Sequence, residues 1–163
     1  MTIKNTFLFT AAALLLMGCG TEYQLHKADS AYAIGEYVNA ASIYKSVYAS
    51  TSPKERQLRA ERAFRLAESY RHSNAYAKAM NAYQNAARYN YPDSIVYFYL
   101  ADMQLRSGKY KPAVQNIQTY LQYAPQDTLA LNLLTSAEQS QEWKNNPTRF
   151  VVKRDAFFSS RRC

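Results

Sequence analysis

Chain breakers and sulfur are scarce in this sequence. Four glycines and five prolines in 163 residues cannot supply a turn every 8–12 residues or so, as an all-β sandwich or barrel requires. Cys19 and Cys163 are the only cysteines, too few for a disulfide framework or a cysteine-rich zinc site. His26 and His72 are the only histidines and leave little for a metal centre. There is no Ser/His/Asp set, no Cys/His pair in a catalytic context, no glycine-rich phosphate loop and no metal-ligand spacing. Glu61, Glu68 and Glu138 qualify as the acid of a cell-wall lytic enzyme by residue type alone. A non-enzymatic protein without metal or small-molecule cofactor is therefore expected.

Charge of one sign is also thin where it would matter most. The net charge is +8, from 20 basic and 12 acidic residues. Residues 144–163 hold six of the basic residues against Asp155, while residues 19–143 hold 13 against 11. A body this close to neutral offers no basic face dense in phosphate contacts, and no nucleic-acid partner is expected. What is present is a foldable composition, 48% hydrophobic with fifteen tyrosines, long enough for one domain with its own core.

The one long apolar run, Phe7 to Met17, follows Lys4. As a helix it would rise about 16 Å, roughly half a bilayer core, so it cannot span a membrane. A charged start, a short apolar middle and small residues at the end describe a secretory signal peptide. Leu16-Met17-Gly18-Cys19 resembles the bacterial lipobox. That resemblance implies cleavage after residue 18 and diacylglyceryl and N-acyl lipid on Cys19, the alternative being an ordinary signal with an incidental cysteine. Acyl chains contribute about 0.8 kcal/mol per buried methylene, so two or three of them anchor permanently. Gly20-Thr21-Glu22 brings no acidic cluster, which by the same resemblance favours the outer membrane, facing the periplasm.

The body repeats. Gly35, Tyr37, Ala40, Tyr44 and Val47 recur as Asn74, Tyr76, Ala79, Tyr83 and Ala86, and again as Gly108, Tyr110, Ala113, Ile117 and Tyr120. Pro53, Pro92 and Pro125 follow the copies, and Ala28, Ala67 and Ala101 precede them. Gly35, Asn74 and Gly108 suit the left-handed conformation that ends a helix. The alanines are small where helices cross closely, Tyr44, Tyr83 and Ile117 fill the adjoining hole, and the prolines stop the second helix of each pair. This pattern resembles the tetratricopeptide repeat, with Ala31 and Gln104 standing where that family prefers an aromatic, Tyr70 complying, and five extra residues around Ser50–Arg56.

The predicted fold is an all-α repeat solenoid. Helix pairs are expected at 23–34/37–50, 56–72/75–89 and 94–107/110–123, with a capping helix at 127–143 in phase with Leu131 and Leu134. Residues 1–18 are read as signal peptide and 19–22 as lipidated N-terminus. The array is expected to span 23–143, and residues 144–163 are set apart from it by their change of character after Asn145-Asn146-Pro147.

In such a stack the first helices line a concave face. By helical phase that face carries Leu25, Asp29 and Tyr32; Phe64, Glu68, Arg71 and His72; and Phe98, Asp102, Leu105 and Arg106. An apolar residue is followed four later by an acid in every copy, which puts both on one stripe. Two readings stay open: an acidic ladder over an apolar floor for a basic, aromatic peptide, or carboxylates engaged by nearby arginines. Tyr37, Tyr44, Tyr76, Tyr83 and Tyr110 are assigned to packing, while Tyr89, Tyr91, Tyr97, Tyr99 and Tyr123 are left for a contact surface. Arg59 and Arg65 lie four residues after Glu55 and Glu61 and read as their solvent-side partners.

Trp143 to Arg162, with Asn146-Pro147-Thr148-Arg149-Phe150 and Phe157-Phe158-Ser159-Ser160, is similar to the junction of Bacteroidetes envelope lipoproteins. There a repeat array leads to a β-propeller and an OmpA-like domain, some members serving type IX secretion, so the resemblance implies that 144–163 is a junction to a missing β-propeller-like domain. The resemblance implies a scaffold that docks protein partners of an envelope assembly or secretion machinery, with peptidoglycan contact only through domains not present in this chain. The alternative is a stand-alone lipoprotein that handles client chains in outer-membrane assembly.

Overall fold

The computed structural model describes residues 20–147. Seven α-helices, and no strand, make up the described residues: α1 (20–33), α2 (Tyr37–Ser50), α3 (Arg56–His72), α4 (Tyr76–Arg88), α5 (Ile95–Arg106), α6 (Tyr110–Leu121) and α7 (Thr128–Asn145). The pairing follows the repeat expectation to within a few residues. Helix α1 is already under way at residue 20, next to Cys19, rather than at 23. The expected signal peptide, Cys19, the extended segments around Phe150 and Phe157, and Cys163 lie outside the described residues.

The turns between helices use one backbone device four times. Gly35, Asn74, Asn90 and Gly108 all have positive φ, at 83°, 58°, 61° and 70°. At each, the following N–H reaches back five residues to a helix carbonyl: Glu36 to Ala31 (2.9 Å), Ala75 to Tyr70 (2.9 Å), Tyr91 to Ala86 (3.0 Å) and Lys109 to Gln104 (2.8 Å). That bond satisfies a carbonyl the helix end would otherwise leave open. Asn90 is the unexpected member. It, rather than Pro92, ends α4, and the proline lies beyond the stop.

Alanine makes close helix crossing possible. Ala28, Ala40, Ala67, Ala79, Ala101 and Ala113 are all buried, and Tyr44, Tyr83 and Ile117 fill the space beside them, as the repeat predicts. Two continuous cores draw on side chains from Leu25 to Ala137, so the array carries its own hydrophobic interior. Gln104, buried where an aromatic is usual, accepts a hydrogen bond from Asn116 Nδ2 at 2.8 Å.

Tyr37, Tyr76 and Tyr110, which the sequence assigns to the core, are only half-buried. Each opens the second helix of a pair and meets a basic side chain near the end of the next unit's first helix. Tyr37 stacks on His72 with centroids 4.7 Å apart. Arg106 lies 5.1 Å above Tyr76, and Lys144 lies 5.6 Å from Tyr110. The two cation–π contacts contribute about 0.5–1 kcal/mol each at exposed sites, and a contact at this position recurs unit by unit along the stack.

Helix α7 closes the array with its phase shifted by one residue from expectation. Asp127 caps it, its carboxylate accepting from the N–H groups of Leu129 (2.9 Å) and Ala130 (3.2 Å). Ala130 and Ala137 are buried, with Leu133 and Leu134 packed beside them. Positions i, i+3, i+4 and i+7 form that inner stripe, which leaves Leu131 outside it and 43% exposed.

Candidate functional site

Helices α1, α3 and α5 form a shared face. Arg65 on α3 pairs with Asp29 on α1 at 2.9 Å, and the Arg71 guanidinium lies 4.6 Å from the Tyr99 ring of α5. All the sequence-predicted groove residues lie on these three helices, most of them half-buried.

The three acids of the stripe are engaged within the chain. In the first two copies the carboxylate accepts a hydrogen bond from the buried tyrosine fifteen residues later: Tyr44 Oη donates to Asp29 and Tyr83 Oη to Glu68. Burial, then the bond to Asp29, pushes the Tyr44 hydroxyl up to about 12. Burial and the Glu68 charge hold Tyr83 above the ordinary tyrosine range. The third copy has Ile117 at the equivalent position, so Asp102 pairs instead with Arg106 on its own helix at 3.0 Å. Glu68 also receives both Nε and Nη2 of Arg71, at 3.1 and 2.6 Å, and has His72 Nε2 3.7 Å away. The ladder is thus a structural series of tyrosine and arginine acceptors. It recurs because each hydroxyl carried into the interior requires a partner.

Three hollows follow along this face. The middle one, about 260 Å³, is lined by Tyr32, Tyr44, Glu61, Phe64, Arg65, Glu68 and Tyr91. Phe64 stacks flat on Tyr91, 4.2 Å between centroids and 5° between planes. Leu25 and Asp29 line a neighbouring hollow between α1 and α3. Arg71, Asp102 and Arg106 line a third, beside Tyr76. Phe98 and Leu105 belong mainly to the second core. The predicted set is therefore divided, and Tyr32, Phe64 and Glu68 are its members in the central hollow.

Tyr44, Glu61, Arg65 and Tyr91 are the lining residues that sequence reasoning did not place there; it assigns Tyr44 to packing and Arg65 to a solvent-side pair. Glu61 lies seven residues before Glu68, two turns along the same helix face, and that spacing could have revealed it. Tyr91 comes from the α4–α5 connection, where helical phase says nothing. Glu61 makes no ion pair among the described residues, because Arg65 turns to Asp29 instead. Arg59 likewise leaves Glu55 for the Thr51 carbonyl and the faces of Tyr48 and Tyr89. Of the five tyrosines left for a contact surface, only Tyr123 is largely exposed; Tyr97 packs against both cores and Tyr99 stacks on Tyr83.

Paired helices, alanine crossings, the repeated turn and an aromatic-lined face on the first helices define an all-α tetratricopeptide-repeat solenoid. Known structures agree on this fold. The chain is similar to the first such domain of Spaghetti (RPAP3) bound to HSP90 peptide SRMEEVD, at TM-score 0.63 and 17% identity, covering 75% of this chain and 93% of that one. It is similar to the Sgt2 domain from Aspergillus fumigatus, at TM-score 0.60 and 17% identity, covering 86% and 93%. It is also similar to the Yersinia enterocolitica type III secretion chaperone SycD in complex with a peptide of the translocator YopD, at TM-score 0.58 and 15% identity, covering 76% and 93%. The sequence matches no family model and no curated protein.

Proposed function

We propose that the array is a lipid-anchored scaffold that captures a polypeptide partner on the face of α1, α3 and α5. The observation that carries this reading is the central hollow, where Tyr32, Phe64 and Tyr91 offer apolar rings beside the carboxylate of Glu61. That carboxylate makes no ion pair among the described residues, because Arg65, on the same wall, is bonded to Asp29. A segment presenting an aromatic or aliphatic side chain beside a lysine or arginine matches that chemistry. The rings accept the apolar part, and Glu61 meets the cation without giving up an internal ion pair. Two of the similar structures carry peptides, which supports peptide capture for this chain as well. The lipobox supports attachment through Cys19 at the periplasmic side of the outer membrane, and the junction motif supports a role in envelope assembly or secretion.

The test is affinity capture from envelope with wild-type protein and with a Tyr32→Ala, Glu61→Lys variant. The reading expects a partner whose yield falls at least tenfold in the variant while the helical spectrum is kept, and it fails if the variant recovers the same partner in full. Mass measurement of the mature N-terminus tests the anchor separately: an acylated Cys19 is expected, and an unmodified thiol would remove that part of the proposal.

A further inference from the structure

The strongest charge feature outside the groove is a cluster of arginines where α2, α3 and α4 meet. Adjacent helices joined by short turns run in opposite directions, so the end of α2, the start of α3 and the end of α4 lie together. Side-chain contacts fix this. Thr51, buried just past α2, accepts from Arg59 through its carbonyl and from Arg62 through Oγ1. Arg56 Nη2 reaches the Arg88 carbonyl at the end of α4, at 3.2 Å. The Tyr89 ring collects three guanidiniums, Arg56 at 5.7 Å, Arg59 at 5.2 Å and Arg88 at 5.2 Å, and the Tyr48 ring takes Arg59 at 4.4 Å. Among the described residues none of these four arginines reaches a carboxylate; the arginine ion pairs belong to Arg65, Arg71 and Arg106. Lys54 in the connecting segment adds a further cation.

The same end of the array carries the first described turn of α1. A hollow between α1 and α3 is lined by Glu22 together with Leu58 and Arg62, so the first turns of both helices are side by side. Gly20, the first described residue, is already helical, and it follows Cys19 directly in the sequence. Along the α1–α5 part of this end lie four acids, Glu22, Glu55, Glu61 and Asp93. Glu22 and Glu61 line the α1–α3 hollow beside Arg62, while Glu55 accepts from the Ser52 N–H at 3.1 Å and Asp93 from the Ile95 N–H at 2.9 Å. Against them stand five cations, Lys54, Arg56, Arg59, Arg62 and Arg88, four of them gathered around Thr51 and Tyr89.

We propose that this end docks on an anionic lipid surface, with Arg56, Arg59, Arg62 and Arg88 meeting phosphate headgroups. The orientation rests on the anchor reading above: an acyl group on Cys19 would hold this end, and no other, against the bilayer. Guanidiniums are suited to the contact, since each offers several donors in a fork that fits phosphate oxygens. Their cation–π seats order the side chains before any headgroup arrives. The groove would then stand to one side of the bilayer normal, open to a periplasmic partner.

The test uses the protein beginning at Gly20, whose helices bury their own core, in sedimentation with phosphatidylcholine vesicles with and without phosphatidylglycerol. Binding to the phosphatidylglycerol vesicles alone is expected, weakening as salt rises. Each arginine near such a surface strengthens binding roughly fivefold, so an Arg56→Gln, Arg88→Gln variant should bind about 25-fold more weakly. A Lys54→Gln, Arg62→Gln variant should lose a similar factor. Lys109→Gln, Lys111→Gln, at the opposite end, should bind as wild type. Equal binding to both vesicles, wild-type binding by either cluster variant, or an equal loss in the control variant would overturn the proposal. So would displacement by inorganic phosphate beyond that of chloride at matched ionic strength, which would make this a site for free phosphate. Because the tested protein lacks Cys19, its result is independent of acylation, and the mass of the mature N-terminus judges the anchor by itself.

Discussion

Replacing Tyr83 by phenylalanine probes the fifteen-residue tyrosine–acid link with little change of shape. Tyr83 is fully buried, its hydroxyl donates to Glu68 Oε1, and Arg71 Nε donates both to that hydroxyl and to the carboxylate, each at 3.1 Å. A hydrogen bond to a charged group contributes about 1.5–3 kcal/mol, and part of this is retained because phenylalanine leaves no buried hydroxyl to satisfy. Glu68 also keeps Arg71. The expected loss is about 1–2 kcal/mol, a fall of about 4–8 °C in Tm for an array of this size. Glu68→Gln should cost about 2–3 kcal/mol, since it strips Arg71 of its counter-charge in a largely buried setting. Together the two changes should cost less than their sum by about 1 kcal/mol, because each breaks the same bond. Asp102→Asn, in the copy that has Ile117, should cost under about 0.5 kcal/mol, since its pair with half-exposed Arg106 is a surface pair. Urea denaturation followed by circular dichroism measures all four variants. Additivity of Tyr83→Phe and Glu68→Gln to within about 0.3 kcal/mol would refute the link.

Two further outcomes follow from local geometry. Gly108→Ala should destabilise by about 1 kcal/mol, because φ is +70° with open space around the added methyl, so the penalty is purely conformational. Asn90→Gly, at φ 61°, should leave thermal stability unchanged or raised, and a fall in Tm would contradict the turn assignment. Tyr44 should form no phenolate near pH 10: its folded value, about 12, lies above its unfolded one, so its contribution to stability is intact below pH 10 and disappears as pH climbs toward 12. A phenolate absorbance titration of wild type against Tyr44→Phe measures this, and a Tyr44 component titrating near 10 would contradict it.

The helices were legible because small residues, turn residues and large fillers recur at fixed spacing, and each is fixed by sterics. Ala40, Ala79 and Ala113, with Tyr44, Tyr83 and Ile117, are buried where the spacing puts them. The stop at Asn90 was less legible, since Pro92 nearby is the stronger sequence signal although the left-handed residue makes the turn. Helical phase put the groove residues on one face, but it carries no information on partners from other helices. Phase alone could not show that Asp29 would be taken by Tyr44 and Arg65, or that Glu61 would be left without an ion pair among the described residues. The central hollow needed Tyr91, a residue of a connection whose path is set by the packing of α3, α4 and α5.

Capture of a partner on the face of the first helices is tested most directly by photo-crosslinking in cells of the native host. One photoreactive side chain would replace Glu61, in the central hollow, and another would replace Gln84, exposed on α4. The account predicts a discrete protein adduct from position 61 and none of that mass from position 84. Adducts from position 84 alone, or equal yields from both, would contradict it.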